Sequence, residues 1–256
     1  MLLVLDVGNT NIKVGLFSET ELISSWRLTS DKRRTSDEYG IQMDAFFRNI
    51  DIDTKEISGI IISSVIPSMN YTIEHMCRMY FEDVSPIFVD KTLKTGIINN
   101  YDVPGKLGSD RICNCVAANK IYGGDLLVID FGTATSFNVL NKSGEFLGGL
   151  IAPGIKVSTD ALTESAALLP KIEFIKPVKV ICTNTQDSVR AGVIHGFVGM
   201  VEHIIFEIAQ EFGNPIKVVA TGGMSAIIAS ETRAIDVLNP TLTLNGLALI
   251  YEMNFT

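Results

Sequence analysis

Three carboxylates in this chain stand where they could serve phosphate chemistry. Asp6 and Asp130 each end a run of branched apolar residues, Leu2-Leu3-Val4-Leu5 and Leu126-Leu127-Val128-Ile129. Each is followed by one apolar residue, a glycine and a small polar residue, and the two copies lie 124 residues apart. Gly8 and Gly132 have no Cβ, so backbone N–H groups there can close on an anion. Asn9, Thr10, Thr133 and Thr135 add short donors for phosphate oxygens. A carboxylate repels phosphate, but it can hold a metal ion that binds it. The third carboxylate, Asp110, lies in Gly108-Ser109-Asp110-Arg111. At a helix start it stays charged and can accept an alcohol proton, while Arg111 can pair with a phosphate or a carboxylate. Taken singly, each Asp-x-Gly turn also fits an ordinary hairpin, and Asp110-Arg111 also fits a capping Asp beside a surface Arg. The repetition of strand, Asp and glycine favours a device used twice, in two related lobes that grip one nucleotide.

The elements needed to position these residues are legible around them. Residues 2–6, 12–17 and 21–28 read as a three-strand meander, and 126–131, 135–140 and 145–151 repeat it. Ser36 looks like an N-cap, and Tyr39, Met43, Phe46 and Phe47 give the helix after it one apolar face. Residues 59–64 read as a buried strand, Pro67 starts a helix to about Phe81, and Ile87-Phe88-Val89 is a short strand. Residues 91–109, with Gly96, Pro104, Gly105 and Gly108, form a long loop of the functional kind. It leads into a helix that ends near Tyr122, before Gly123-Gly124. Gly148-Gly149 and Pro153-Gly154 mark a sharp exit into a helix over about 157–168. A loop carrying Asn184-Thr185 then opens a long helix to Phe212, in which Gly192, Gly196 and Gly199 suit close helix packing. Lys217 to Ala220 is a strand. Thr221-Gly222-Gly223 after it is either a backbone platform for a flat ligand or a tight turn.

Composition narrows the function classes. The 256 residues suit two lobes, with boundaries expected at 1–124 and 125–256. The net charge of −8 argues against a nucleic-acid or anionic-membrane partner. The basic run Lys32-Arg33-Arg34 reads as a solvated loop. Cys77, Cys113, Cys115 and Cys182 form no CxxC, and His75, His195 and His203 form no HExxH, so no zinc site is expected. The cysteines read as core residues of a reduced, cytoplasmic protein. With no basic leader and no apolar run of ~18 residues, neither a signal peptide nor a membrane span is expected.

No Walker A sequence and no strand-Gly-x-Gly-x-x-Gly is present. A duplicated meander with Asp-x-Gly turns and a late Thr-Gly-Gly resembles the actin, sugar-kinase and Hsp70 superfamily. That implies an α/β fold of two ribonuclease-H-like lobes around a nucleotide cleft. Within it the chain is most similar to type III pantothenate kinase. The resemblance is carried in order by residues 6–10, 108–111, 130–135, 148–154, 184–185 and 220–223. It implies ATP-dependent phosphorylation of pantothenate to 4'-phosphopantothenate, the first step of coenzyme A synthesis, by a homodimer using Mg²⁺ and a monovalent cation, K⁺ or NH₄⁺. It also implies site roles. Asp6, Val7, Gly8, Asn9, Thr10, Asn11, Ile12 and Lys13 would cradle ATP, with Asp6 holding Mg²⁺ through water and Thr133 contacting ATP from the other lobe. Asp130 would ligate the monovalent cation. Tyr101, Gly108, Ser109, Asp110, Arg111 and Thr185 would bind pantothenate, with Asp110 as the base. Read as residues alone, Thr185 also fits a hydroxyl cap and Tyr101 a packed ring. Three positions depart from the family pattern: Ser109 for a usual Ala, Cys182-Thr183 for a Gly plus a basic residue, and Lys156 for a small residue. The rival readings are a kinase of another small alcohol on the same fold, and a non-catalytic regulator.

Overall fold

The computed structural model describes residues 1–81 and 84–255. In chain order the strands are β1 Leu2–Val7, β2 Asn11–Ser18, β3 Glu21–Thr29, β4 Gly59–Ser64, β5 Ile87–Phe88, β6 Ile98–Asn99, β7 Leu126–Phe131, β8 Ala134–Leu140, β9 Glu145–Pro153, β10 Lys217–Thr221 and β11 Val237–Leu238. The helices are α1 Ser36–Arg48, α2 Pro67–Tyr80, α3 Ser109–Tyr122, α4 Ile155–Ser165, α5 Thr185–Phe212, α6 Ser225–Ala229 and α7 Leu242–Phe255.

The sequence repeat is a repeat of topology. The first sheet has the order β3-β2-β1-β4-β5, an antiparallel meander followed by parallel strands. The second reads β9-β8-β7-β10-β11 in the same sense, with β6 added outside β9. Each sheet therefore has the ribonuclease-H-like strand order, and the chain is a duplicated actin-like α/β fold.

The strands that carry Asp6 and Asp130 are covered on both faces, which is why they read as unbroken apolar runs. Leu3, Leu5 and Val7 alternate into a cluster with Tyr39, Met43 and Phe47 of α1 and Met69, Ile73 and Met76 of α2. Val4 and Ile61 face the other way, onto Cys113 and Val116 of α3 and Leu244, Leu247 and Ile250 of α7. In the second sheet Leu127, Ile129 and Phe131 pack under Ile194, Val198, Val201 and Ile205 of α5.

The chain forms two compact units: Met1–Ile97 with Tyr101–Ala117 and Leu242–Thr256, and Ile98–Asn100 with Ala118–Thr241. The boundary expected at 124/125 differs from this division. The last helix returns to the first sheet, where a Cβ on Gly246 would overlap the Cys113 backbone, and Ala118–Gly124 go with the second unit. The α1 cap is Thr35 and not Ser36. Thr35 Oγ1 accepts the Glu38 amide while Glu38 accepts the Thr35 amide, a full capping box.

The helix α5 corrects one expectation and bears on another. A Cβ on Gly192, Gly196 or Gly199 would meet open space, so these glycines serve no close packing within the chain. Among the described residues this helix is also long and apolar enough to cross a membrane by length and composition, with 28% of the window buried. Its buried stripe, Ala191, Ile194, Val198, Val201, Ile205 and Ile208, repeats every three or four residues, the pattern of a helix laid on a sheet.

Candidate active site

The first turn is built by β1 and β2. Asp6 is 5% exposed and pairs in register with Lys13, whose Nζ lies 3.2 Å from Asp6 Oδ2. The same ammonium donates to Thr243 Oγ1 of α7 at 3.4 Å. The end of β3 ties the turn from outside: the Ser30 amide donates to the Thr10 carbonyl at 3.1 Å and the Ser30 hydroxyl to the Gly8 carbonyl. Gly8 donates its amide to the Asn11 carbonyl, leaving Asn9, Thr10 and Asn11 exposed at the tip. The Val7 and Ile12 side chains lie in the core, so any nucleotide contact there is made by backbone. Ser30 and Thr243 have no local sequence signal, because each reaches the turn from a distant element.

The second turn is built by β7 and β8 and is walled by glycines. A Cβ on Gly222, which has φ +96°, would overlap the Asp130 carboxylate and the Phe131 backbone. A Cβ on Gly154 would overlap the Gly132 and Thr133 carbonyls. Thr221 and Asp130 are register partners, so Gly222-Gly223 leaves β10 beside the Asp130 carboxylate. Gly132 and Thr133 are exposed, whereas Thr135 is fully buried with its hydroxyl toward the Pro153 carbonyl. Thr135 therefore drops out of the expected phosphate donors.

The third group opens α3. The Asp110 carboxylate folds back over Gly108, where a Cβ would collide with Oδ1, and Oδ1 accepts the Arg111 amide at 2.8 Å. Arg111 is 8% exposed, which removes the surface-Arg reading. Its Cζ lies 5.8 Å from the Tyr101 ring centroid, a cation–π contact that orients the guanidinium. Gly108, Ser109, Asp110, Arg111 and Tyr101, all expected at the substrate, lie together in the first unit. The Ser109 side chain departs from that expectation: its hydroxyl turns inward, to Ser63 and Ser64 of β4. Thr185 begins α5 in the second unit, exposed, and the helix is capped by Asn184 Oδ1 on the Asp187 amide at 2.9 Å. The cap reading of Thr185 falls accordingly.

The donor set decides what cations would fit. Among the described residues no group of three or more His, Cys, Asp or Glu could hold a metal ion. Asp6 is a single buried carboxylate beside exposed turn residues. That suits Mg²⁺, which keeps waters and takes one or two carboxylates plus phosphate oxygens.

An acid ending a strand at a glycine turn, twice over, on this strand order defines the class: a nucleotide-binding phosphotransferase with the actin-like ATPase and sugar-kinase fold. The sequence model of the type III pantothenate kinase family matches residues 2–207, and the chain belongs to that family. Solved structures with the same fold include a protein from Campylobacter jejuni described as a Baf family transcriptional activator, at TM-score 0.60 and 18% identity over 98% of this chain and 97% of that one. Another is a protein from Sinorhizobium meliloti described as a 2-dehydro-3-deoxygalactonokinase, at TM-score 0.58 and 12% identity over 98% and 96%. A third is the ethanolamine utilization protein EutJ from Carboxydothermus hydrogenoformans, at 0.56 and 13% over 97% and 89%.

Proposed function

We propose that this chain phosphorylates pantothenate on its primary hydroxyl with ATP, giving 4'-phosphopantothenate and ADP. The observation that carries the reading, beside the family match, is the Asp110 carboxylate at the start of α3 with the buried Arg111 against Tyr101. In this reading Asp110 takes the hydroxyl proton as the alcohol oxygen attacks the γ-phosphorus and ADP leaves. Arg111 supplies fixed positive charge for the substrate carboxylate or the transferred phosphoryl group. The Asp6 turn and Lys13 hold ATP phosphates, and Thr133 adds a contact to ATP. Tyr101, Gly108 and Thr185 help to bind pantothenate. Mg²⁺ at Asp6 would neutralise phosphate charge, and K⁺ or NH₄⁺ would sit at Asp130.

The protein is further proposed to act as a cytoplasmic homodimer with pantothenate near the interface. The support is a set of exposed apolar residues in the second unit. The Gly192, Gly196 and Gly199 side of α5 is open, Phe206 is 56% exposed, and Ile151, Val178 and Ile181 are more exposed still. A fully active monomer in light scattering would remove this part.

The Campylobacter jejuni neighbour is described as a transcriptional activator, which raises a regulator as a second reading. The net charge of −8 and the intact Asp6, Asp110 and Asp130 speak against it. The deciding experiment is ADP release from ATP with and without pantothenate, in K⁺ and Na⁺ buffers, beside a panel of sugars and other small alcohols. Pantothenate-dependent release that Asp110→Asn lowers at least about 10²-fold, with ATP binding kept, supports the reading. Release that depends on another alcohol replaces pantothenate, and no release with any alcohol favours the regulator.

A further inference from the structure

Ser109 adjoins Asp110, yet its own side chain is only 9% exposed. Its Oγ lies 2.9 Å from Ser63 Oγ, accepts the Ser64 amide at 3.1 Å and donates to the Ser64 carbonyl at 3.2 Å. A serine hydroxyl has one proton to give and two lone pairs. With the proton on the Ser64 carbonyl, the Ser63 hydroxyl is the donor in the Ser63–Ser109 bond, and the Ser109 oxygen is saturated. No hydrogen-bonding capacity is left for a substrate. On its strand, Ser63 is the register partner of Asp6. Two buried hydroxyls therefore run from the strand beside Asp6 to the helical turn that presents Asp110.

We propose that Ser63 and Ser109 form a positioning clasp that sets Asp110 relative to the Asp6 turn, so that Ser109 serves the reaction by placement and not by contact with substrate. The proposal rests on Asp110 being the base. Around the clasp, α3 meets the sheet through apolar Cys113 and Val116, contacts that tolerate small slides and rotations. Gly108 has no side chain with which to fix the entry of the helix. Directional bonds from Ser109 to both the Ser63 side chain and the Ser64 backbone remove that freedom. A general base works only within hydrogen-bond reach of its proton, and a misplacement of about 1 Å can cost ~10²-fold in rate.

The test is a cycle of Ser109→Ala, Ser63→Ala and the double variant, with kcat and KM measured for ATP and for pantothenate. Each single change should lower kcat roughly tenfold while both KM values stay near the parent's. The double variant should lose no more than the worse single one, since one clasp can be broken only once. A raised KM for pantothenate with kcat kept would make Ser109 a substrate contact and overturn the proposal. Unchanged kcat, or losses that simply multiply, would overturn it as well. If the parent does not phosphorylate pantothenate at all, the functional reading fails by itself. The clasp is then read from urea unfolding of the same four proteins: non-additive midpoint shifts support it, additive ones end it.

Discussion

The turns at Asp6 and Asp130 share a sequence pattern and a strand order, yet they hold their carboxylates by different means. Asp6 is buried and faces Lys13 across its hairpin at 3.2 Å; Asp130 is half-buried and faces Ser136. Residues 8–10 join the strands in the first copy and only 132–133 in the second. That one-residue difference shifts the register: the counterpart of Lys13 by sequence count is Phe137, which pairs with Ile129. The first turn is tied by hydrogen bonds from Ser30, which can adjust. The second is walled by the close approach of Gly222 and Gly154, which cannot. A duplicated motif has thus become a charge-compensated, adaptable site in one unit and a site walled closely by glycine backbone in the other.

The largest expected contrast is in stability. Gly222→Ala forces a Cβ into the Phe131 backbone at φ +96°. It should cost at least about 3 kcal/mol in urea unfolding, by strain and overpacking together. Gly8→Ala meets only the Asn11 carbonyl at 3.2 Å and should cost less than about 1 kcal/mol. Equal losses would erase the distinction between packed and adaptable turns.

The next contrast is chemical. Under the proposed function Asp6→Asn removes the charge that faces Mg²⁺ and should raise the KM for Mg²⁺–ATP at least about tenfold, the scale of one lost charged contact. The same change leaves Lys13 without its carboxylate, so unfolding should be followed beside it to separate folding from binding. A variant with the parent's KM at low Mg²⁺ would show that Asp6 is structural. Asp130→Ala should act more mildly, abolishing stimulation by K⁺ or NH₄⁺ while the Mg²⁺ dependence persists. A K⁺ response equal to the parent's would return the second turn to a purely structural role.

How much of this was legible depended on whether a residue's partners are near it in sequence. The strands bearing Asp6 and Asp130 declared themselves because both faces are buried, so Leu3, Val4 and Leu5 all had to be apolar. The Gly108–Arg111 cluster was readable because four adjacent residues carry it. Ser63, Ser30 and Thr243 were not, since each meets its partner only through the tertiary fold. The helix Leu242–Phe255 is mostly apolar, and its few polar residues fall on opposite sides and leave no single stripe, so nothing local marks it or its return to the first unit. Thr35 was masked by its neighbour Ser36, although Thr35 and Glu38 alone have the capping-box spacing. The glycines of α5 fit a packing stripe by spacing, and only the structure shows that nothing lies against them.

The smallest effect compares the interiors of the two units through their thiols. Cys77, Cys113 and Cys115 are buried in the first unit, and Cys182 is partly exposed in the second, against the expectation that all four are core. Burial pushes the Cys77 and Cys115 thiols up to about 12. It drives Cys113 well above the usual range, with Asp6 and Asp110 nearby adding to the rise. Only a thiolate attacks a disulfide reagent, so the native protein at neutral pH should show one fast thiol, Cys182, out of four. A group whose pKa is raised by folding stabilises the fold below its unfolded pKa and loses that contribution as pH climbs to the folded value. For Cys77 and Cys115 the window runs from near 9 to about 12, so the urea midpoint should fall across it. Replacing Cys115 by Ala should make that fall shallower, because one of the ionising groups is gone from the unfolded chain. Two or more fast thiols at neutral pH would mean that the packing behind Asp6 and Asp110 opens readily. In that case the first turn would owe its carboxylate's position to Lys13 and Ser30 alone, and the contrast between the two turns would widen.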